Sequence, residues 1–223
     1  MPEANLRDDI ELEPKPLAIG GKRLEILCVK DLEPFVADLE QNNAEGFENF
    51  PFWVKIWEAG IVLTDTLLHM NLDKNQHILE LGAGMGITGL FLAAFGYNVT
   101  ATDNNKDALA LMRLNADHNG IENLRIKELD WHRPQLDGPF DMICGSELVY
   151  KKSDVEPVTK ILNTMLKSEG TAYLAHDISR MSMIDFLKGA EPHFRINHKG
   201  MSFTGAGQKK QIVLHTIKHK KHE

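Results

Sequence analysis

The stretch Ile78-Leu-Glu-Leu-Gly-Ala-Gly-Met-Gly-Ile-Thr-Gly89 joins a short apolar run to a loop with glycines at 82, 84, 86 and 89. Its first residues predict a buried strand over 77–81, and the apolar residues after the loop predict a helix over 87–95. Glycine is needed where the chain turns sharply and a ligand must approach the backbone closely. The last three glycines also satisfy the dinucleotide pattern G-x-G-x-x-G, so the stretch predicts a nucleotide-binding strand–loop–helix unit.

Regular patterning continues on both sides of this unit. Apolar periodicity predicts further helices at 31–39, 57–70, 106–119, 155–166 and 183–188, with Gly170 closing the fourth of these. Further strands are predicted at 24–29, 98–102, 124–129, 140–144, 171–175, 195–203 and 211–218, the last two joined by the turn Thr204-Gly-Ala-Gly207. Strands that alternate with helices predict an α/β fold with a doubly wound, mostly parallel sheet and helices on both faces. The final strand pair has no helix between its strands, which predicts one antiparallel strand near one edge.

The chain of 223 residues suits one α/β domain with a small N-terminal addition. We expect an N-terminal extension over 1–50, with a short strand and a helix, and the main domain over 51–223. The prolines at 2, 14 and 16 stand among acidic residues, so 1–16 are predicted to be a mobile or loosely docked lead-in.

Charge and composition favour some environments over others. The net charge of −7 weighs against non-specific binding to nucleic acid or to an anionic membrane, because both need a basic surface. Two cysteines, an acidic N-terminus without an apolar h-region, and no apolar run of membrane-spanning length predict a cytoplasmic protein. The ten histidines do not follow a metal-ligand spacing, so no metal site is expected.

Acidic residues follow three neighbouring strands of the predicted sheet. Glu80 stands two residues before the first glycine, where a carboxylate suits an ammonium group and repels a pyrophosphate. Asp103 ends the next strand, and a carboxylate at that place can accept both hydroxyls of an adenosine ribose. Asp130 and Trp131 follow the third strand and offer an acid and an aromatic ring to an adenine. The carboxyl ends of parallel strands meet at one edge, so these side chains are expected to share one site.

This set of motifs resembles the seven-β-strand S-adenosylmethionine-dependent methyltransferases, over roughly residues 53–223. The resemblance implies a Rossmann-like sheet of seven strands and S-adenosylmethionine as the cofactor. It also implies a cofactor site formed by Trp53, Trp57, Glu80, Gly82, Gly84, Gly86, Asp103, Asn104, Asp130, Trp131 and Ser146.

Glu147 and Tyr150 follow the fourth strand of that fold. The subgroup that methylates protein side chains, often lysines, carries Asp-x-x-Tyr at this position. The Trp-rich segment from Pro51 to Gly60 is also similar to that subgroup's entry to its first helix. A Glu-x-x-Tyr version resembles histidine-methylating relatives and some lysine enzymes. The resemblance therefore implies methyl transfer to a nitrogen of a protein side chain, lysine or histidine, with Glu147 and Tyr150 as the catalytic pair.

Three alternatives remain open on the sequence alone. A small-molecule N- or O-methyltransferase shares the same fold, because the fold does not fix the acceptor. An NAD-dependent oxidoreductase shares the ambiguous glycine loop. A cofactor-binding interaction module without activity is the third, and the sequence also leaves the oligomeric state and the identity of the acceptor open.

Overall fold

The computed structural model describes residues 6–33, 35, 50–205 and 208–220. A hairpin of β1 (Leu12–Ile19) and β2 (Lys22–Val29) precedes a seven-stranded sheet. The strands of that sheet are β3 (His77–Glu80), β4 (Asn98–Asp103), β5 (Leu124–Glu128), β6 (Phe140–Ser146), β7 (Leu166–Asp177), β8 (Phe194–Gly205) and β9 (Gln208–His219). The helices are α1 (Glu58–His69), α2 (Ile87–Ala94), α3 (Lys106–His118), α4 (Val155–Met165) and α5 (Ser182–Ala190). Across these described ranges, none of the helices has both the length and the apolar character needed to cross a membrane.

The sheet has the order β5-β4-β3-β6-β7-β9-β8. Strands β3 to β7 run parallel, and β9 lies antiparallel between β7 and β8. This confirms the predicted antiparallel strand near one edge. The chain moves from β3 outward to β4 and β5 and then returns to β6 on the other side of β3. In open α/β sheets such a reversal opens a crevice at the carboxyl ends of the strands, and ligands bind there.

Both faces of the sheet are covered by helices, as predicted. Adjacent residues of β3 point to opposite faces, because side chains alternate along a strand. Leu79 packs in a core with α4 and α5, whereas Ile78 packs in a second core with α1. Both side chains are fully buried. The two cores hold the strand ends rigidly, which fixes the backbone from which the site is built.

The predicted end of the fourth helix is wrong. Helix α4 stops at Met165 and β7 begins at once, so Gly170 lies inside a strand. The register between β6 and β7 shifts there, and a Cβ on Gly170 would lie 2.9 Å from the Lys167 carbonyl oxygen and 3.0 Å from that of Asp141. The glycine is therefore needed by a close backbone approach at an irregular strand and not by a helix cap. The helix predicted at 31–39 falls largely outside the described residues.

The predicted loose lead-in is also wrong from residue 12 onward, because these residues form β1. Lys30 donates its backbone N–H to the Glu11 carbonyl at 2.9 Å, and this bond sets the alternation of the hairpin ladder. In that alternation Pro14 and Pro16 fall at the positions of β1 whose backbone groups point away from β2. A proline costs no ladder hydrogen bond on an outer edge, so both residues are compatible with an edge strand.

The other edge of the hairpin is held by Asn115 of α3 and by Asn119, the residue that follows the last turn of α3. Asn115 accepts a hydrogen bond from the Leu27 N–H at 2.7 Å and donates to the Leu27 carbonyl at 3.3 Å. Asn119 does the same with Glu25, at 2.9 Å in both directions. The two side chains lie one turn apart on the helix, and each replaces one residue of a missing neighbouring strand. Apolar residues of β2 complete the contact by packing against α2 and α3.

We expect Asn115→Ala to lower the free energy of unfolding by about 1–3 kcal/mol, because a partly buried backbone donor and acceptor lose their partner. Asn119→Ala is the matched control and should cost less, because Glu25 is exposed and water can replace the amide. Urea unfolding of the two variants measures the difference. Equal losses would contradict this account of the hairpin contact.

Candidate active site

A cavity of about 810 Å³ opens at the carboxyl ends of β3, β4 and β6. Twelve of the thirteen site residues predicted from the sequence line it, and Gly86 is the exception. The twelve are Trp53, Trp57, Glu80, Gly82, Gly84, Asp103, Asn104, Asp130, Trp131, Ser146, Glu147 and Tyr150. Those that lie at or after strand ends, from Glu80 to Tyr150, meet because parallel strands end at a common edge.

The glycine loop follows β3 in a left-handed backbone conformation. Gly82, Gly84 and Gly86 have φ angles of +55°, +56° and +86°, which residues with a side chain rarely adopt. A Cβ on Gly84 would lie 3.4 Å from the Trp53 backbone, so the loop passes close to the Trp-rich segment. A Cβ on Gly86 would lie only 2.4 Å from the Met112 side chain. Gly86 therefore allows the loop to pack on α3 and does not line the cavity.

Asp103 ties the end of β4 to this loop. One carboxylate oxygen accepts the Gly84 N–H at 2.8 Å, and the other accepts the Asn105 N–H at 2.9 Å. Burial raises the pKa of Asp103, and the backbone donors of Asn105 and Gly84 oppose that rise. A carboxylate has about four acceptor positions, and the backbone donors of Gly84, Asn105 and Asn104 leave at least one of them for a hydroxyl group of a ligand. The predicted ribose contact is compatible with this geometry.

Glu80 is a buried acid at the end of β3, with 3% of its surface exposed. Its carboxylate accepts the Gly89 N–H at 2.8 Å, in the first turn of α2. Burial raises the pKa of Glu80 from 4.5 to about 8, although hydrogen bonds from Gly89 and Thr88 counteract part of the rise. At neutral pH and without a cation beside it, the carboxyl group is therefore mostly protonated.

The third strand end supplies the other predicted adenine contacts. Asp130 is exposed and accepts the His132 N–H at 2.9 Å, which shapes the turn after β5. Trp131 is half-buried, and its ring lies beside Gly82, where a Cβ would come within 3.2 Å of it. The ring therefore forms one wall of the cavity directly against the glycine loop.

Glu147 and Tyr150 line the same cavity and follow the end of β6. Glu147 is 3% exposed and has a φ of +54°, a strained angle for a residue with a side chain. Its carboxylate accepts the Asp177 N–H at 2.6 Å and is paired with the Arg180 guanidinium. Tyr150 stacks on Phe52 with ring centroids 5.3 Å apart, and burial raises the pKa of its hydroxyl to about 12.

The Trp-rich segment lines one side of the cavity. Trp57 donates its indole N–H to the Phe52 carbonyl at 2.9 Å and lies under the Lys55 ammonium at 4.4 Å. Trp53 packs edge-on against Phe35, with ring centroids 5.5 Å apart. The segment thus forms an aromatic rim that continues from the glycine loop to Tyr150.

Sequence reasoning missed Phe52 and Arg180. Phe52 stands beside the predicted Trp53, and its position in the same aromatic segment was a usable signal. Arg180 follows β7, whose carboxyl end lies at the same edge as those of β3, β4 and β6. A basic residue after that strand could have been considered for the site, but its partner Glu147 lies 33 positions away in the chain.

Residues 44–193 match the family described as lysine methyltransferase. This segment covers more than half of the chain and contains the glycine loop, Asp103, Asp130 and the Glu147–Tyr150 pair. The chain belongs to the lysine methyltransferase family. Membership confirms the predicted enzyme class and its cofactor, S-adenosylmethionine, and it excludes the NAD-dependent alternative.

Curated relatives agree with this assignment. The chain is 25% identical over 147 residues to protein N-lysine methyltransferase METTL21A of Xenopus tropicalis, covering 63% of this chain and 68% of the relative. It is 31% identical over 146 residues to EEF1A lysine methyltransferase 3 of Mus musculus, covering 63% and 60%. A histidine protein methyltransferase 1 homolog of Dictyostelium discoideum is 30% identical over 128 residues, covering 54% and 41%. The match to the mouse protein thus spans less than two thirds of that relative's length.

Solved structures show the same fold. Coclaurine N-methyltransferase, in a crystal structure with SAH, superposes with a TM-score of 0.57 at 14% identity, covering 72% of this chain and 71% of that one. A ribosomal protein L11 methylase of Lactobacillus delbrueckii superposes with a TM-score of 0.55 at 22% identity, covering 71% and 77%. Together with the sheet order, these matches confirm the predicted Rossmann-like fold.

The residues that line the cavity fit the family's cofactor. S-adenosylmethionine carries a positive sulfonium and a positive ammonium group, and the glycine-loop end of the cavity is lined by the acids Glu80, Asp103 and Asp130. The cavity volume also falls in the usual range for ligand pockets, about 300–1,000 Å³. The contact assigned to each individual side chain stays a prediction.

We expect Asp103→Ala to weaken binding of S-adenosylmethionine by about 10- to 150-fold, because it removes charge-assisted hydrogen bonds worth roughly 1.5–3 kcal/mol. Loss of the Gly84 contact should add to this effect. Titration calorimetry measures the affinity, with the exposed Asp117→Ala on α3 as the control. Wild-type affinity in a folded Asp103→Ala protein would contradict the predicted ribose contact.

Glu80 should make stability depend on pH. Its folded pKa of about 8 lies above the usual 4.5, so between pH 5 and 8 the folded state keeps a proton that the unfolded state has lost. The free energy of unfolding of the wild type should therefore fall as pH rises through this window. Glu80→Gln has no such proton, so its melting temperature relative to the wild type should rise from pH 5 to pH 8.5. A constant difference, or the same rise in the exposed Glu128→Gln control, would refute the role of burial.

Proposed function

We propose that the protein transfers a methyl group from S-adenosylmethionine to the side-chain nitrogen of a lysine in a protein acceptor. The observation that carries the proposal is the continuity of one cavity from the glycine loop to Glu147 and Tyr150. This arrangement puts a polar anchor, Glu147, and an aromatic ring, Tyr150, in the same cavity as Asp103, the predicted ribose contact. The names of the relatives, which methylate lysines and in one case histidine, support a nitrogen of a protein side chain as the acceptor.

Methyl transfer depends on the alignment of the acceptor nitrogen with the methyl group and does not need a covalent intermediate with the protein. Bound S-adenosylmethionine supplies an electrophilic methyl on its sulfonium. The acceptor nitrogen must be uncharged, so that its lone pair is free for the methyl group that the cofactor would supply. Rings of Trp57, Phe52 and Tyr150 keep water from the path and hold the alkyl chain of the acceptor in line.

Glu147 and Tyr150 have different roles in this proposal. The Glu147 carboxylate retains free acceptor positions beside its bonds to Asp177 and Arg180, and it orients the acceptor nitrogen through a hydrogen bond. Tyr150 acts through its ring, which walls the opening. An aromatic face near a sulfonium or an alkylammonium contributes about 0.5–2 kcal/mol of cation–π stabilisation.

A cytoplasmic location is part of the proposal. Cys28 and Cys144 are both buried free thiols, and burial raises the pKa of each, most strongly for Cys144. Thiols of this kind suit a reducing compartment. Fluorescence imaging of the tagged full-length chain in its native cells tests the location.

The test of the function uses a lysate of cells of the native organism from which this protein has been deleted. The purified protein and labelled S-adenosylmethionine are incubated with that lysate. We expect mass spectrometry to find labelled methyl groups on lysine of a discrete set of proteins. The Asp103→Ala variant is the control, because it should retain the fold and lose cofactor affinity. Label confined to small molecules would refute the proposal, and label on histidine would refute the choice of lysine.

Tyr150 variants separate the ring from the hydroxyl. Tyr150→Phe should keep kcat/KM for the protein acceptor within about threefold, because the wall and its stacking on Phe52 remain. Tyr150→Ala should lose at least about tenfold, which corresponds to roughly 1.4 kcal/mol of transition-state stabilisation. Steady-state kinetics and the melting temperature should be measured on both variants. A large loss in Tyr150→Phe would assign the role to the hydroxyl instead.

A further inference from the structure

Arg180 places a cation at the acceptor end of the cavity. Its Nε is paired with Glu147, and its guanidinium lies over the Tyr150 ring at 4.4 Å from the centroid. The Glu147 side chain is 3% exposed and that of Arg180 is 19% exposed, so the pair is largely shielded from water. Shielding strengthens the interaction between the two charges and with any third charge that enters the site.

Local structure holds Arg180 in this position. A tight turn follows β7, in which Arg180 donates its N–H to the Asp177 carbonyl at 3.0 Å. The Ser179 N–H donates to the Asp177 carboxylate at 2.9 Å and fixes the same turn. The backbone N–H of Asp177 in turn donates to Glu147. One turn therefore delivers both partners of the carboxylate, a backbone donor and a guanidinium.

The pairing of Glu147 with Arg180 changes the net charge beside an acceptor amine. A lysine in water has a pKa of about 10.4, and an unpaired carboxylate beside it would hold it in the charged form, which has no lone pair. A carboxylate that is already paired with a guanidinium leaves no net negative charge to stabilise an ammonium. The Glu147 oxygens can still accept a hydrogen bond from a neutral amine. The site is thus built to orient the amine without favouring its protonation.

We propose that Arg180 is a positioning residue that neutralises Glu147, so that the acceptor lysine gives its proton to water as it enters the site and is methylated as the free amine. This inference rests on the proposed function. The proton is released before the S–CH₃ bond breaks, and the product leaves as the methylated ammonium. Arg180 acts on the acceptor indirectly, because it neutralises the charge of Glu147 and its guanidinium packs over the Tyr150 ring.

The other charged groups near the Glu147–Arg180 pair stay unchanged in all the variants described below. Those nearest are His176 and Asp177 of β7, Asp154 of the turn Lys152–Asp154, Asp103 at the end of β4, and Lys55 and Lys151 in the cavity lining. Asp154 accepts the backbone N–H groups of Tyr150 and Lys151, so its place does not depend on Arg180. Burial lowers the pKa of His176, which keeps the ring uncharged at alkaline pH.

The test is the pH dependence of kcat, which reports the ionisation of groups in the enzyme–substrate complex. The acceptor is a protein identified by the lysate experiment, and the range is pH 6.5 to 10.5. In Arg180→Gln the pH at which kcat reaches half its maximum should rise by at least about one unit, because the carboxylate is left unpaired. In Glu147→Gln it should fall, because the guanidinium is left unpaired. The double variant should return towards the wild type, and Arg180→Lys should stay close to it.

Opposite shifts in the two single variants are the deciding result, since a merely structural role would lower kcat without moving the pH profile in opposite directions. Arg195→Gln, an exposed arginine on β8, is the matched control and should leave the profile unchanged. Melting temperature and cofactor affinity show whether each variant folds. If Arg180→Gln does not fold, the difference in pH profile between Glu147→Gln and the double variant tests the inference. Shifts in the same direction, or none, would overturn the inference while the proposed function stands. A wild-type protein that labels no protein nitrogen at any pH would overturn both.

Discussion

The hydrogen bond from the Gly84 N–H to the Asp103 carboxylate, 2.8 Å long, is the contact on which the rest of the site depends. It joins the loop after β3 to the end of β4, and the left-handed backbone of Gly82 and Gly84 makes it possible. With the loop held in this way, α2 starts at Ile87, directly after Gly86, and covers the sheet, and the cavity stays open between the loop and Trp131. The same acid that is expected to bind the ribose thus first builds the surface on which the ribose would lie.

Two buried glutamates show how differently one side chain can be used in one cavity. Glu80 and Glu147 are each 3% exposed, and each accepts a backbone N–H. Among the residues that the structure describes, none pairs a cationic side chain with Glu80, and burial raises its pKa to about 8, so it can accept the charge of a ligand ammonium by releasing a proton. Glu147 is already paired with Arg180. The cofactor end of the cavity therefore gains from an incoming cation, whereas the acceptor end is balanced for a neutral amine.

Much of the fold followed from local patterns. The alternation of apolar strands and amphipathic helices predicted the doubly wound sheet, and the missing helix between the last two strands predicted the antiparallel pairing of β9. The wrong predictions concern residues whose local sequence signal is compatible with two different structures. Gly170 looked like a helix cap but serves a close backbone approach at an irregular strand, and the prolines at 14 and 16 looked like a loose segment but lie on an outer edge of a hairpin.

The sequence alone determined that Glu80, Asp103, Asp130 and Glu147 meet at one site, because each lies at or just after the carboxyl end of a strand and parallel strands bring those ends to one edge. The resemblance carried by Glu80, the glycines, Asp103 and Asp130-Trp131 predicted the cofactor class, and the family match then excluded the NAD-dependent alternative. Only the tertiary structure decided how those residues are paired. Arg180 reaches Glu147 across 33 positions, and Asn115 reaches Leu27 across 88. Such contacts depend on the angle at which one packed element meets another, and no local periodicity or spacing encodes that angle.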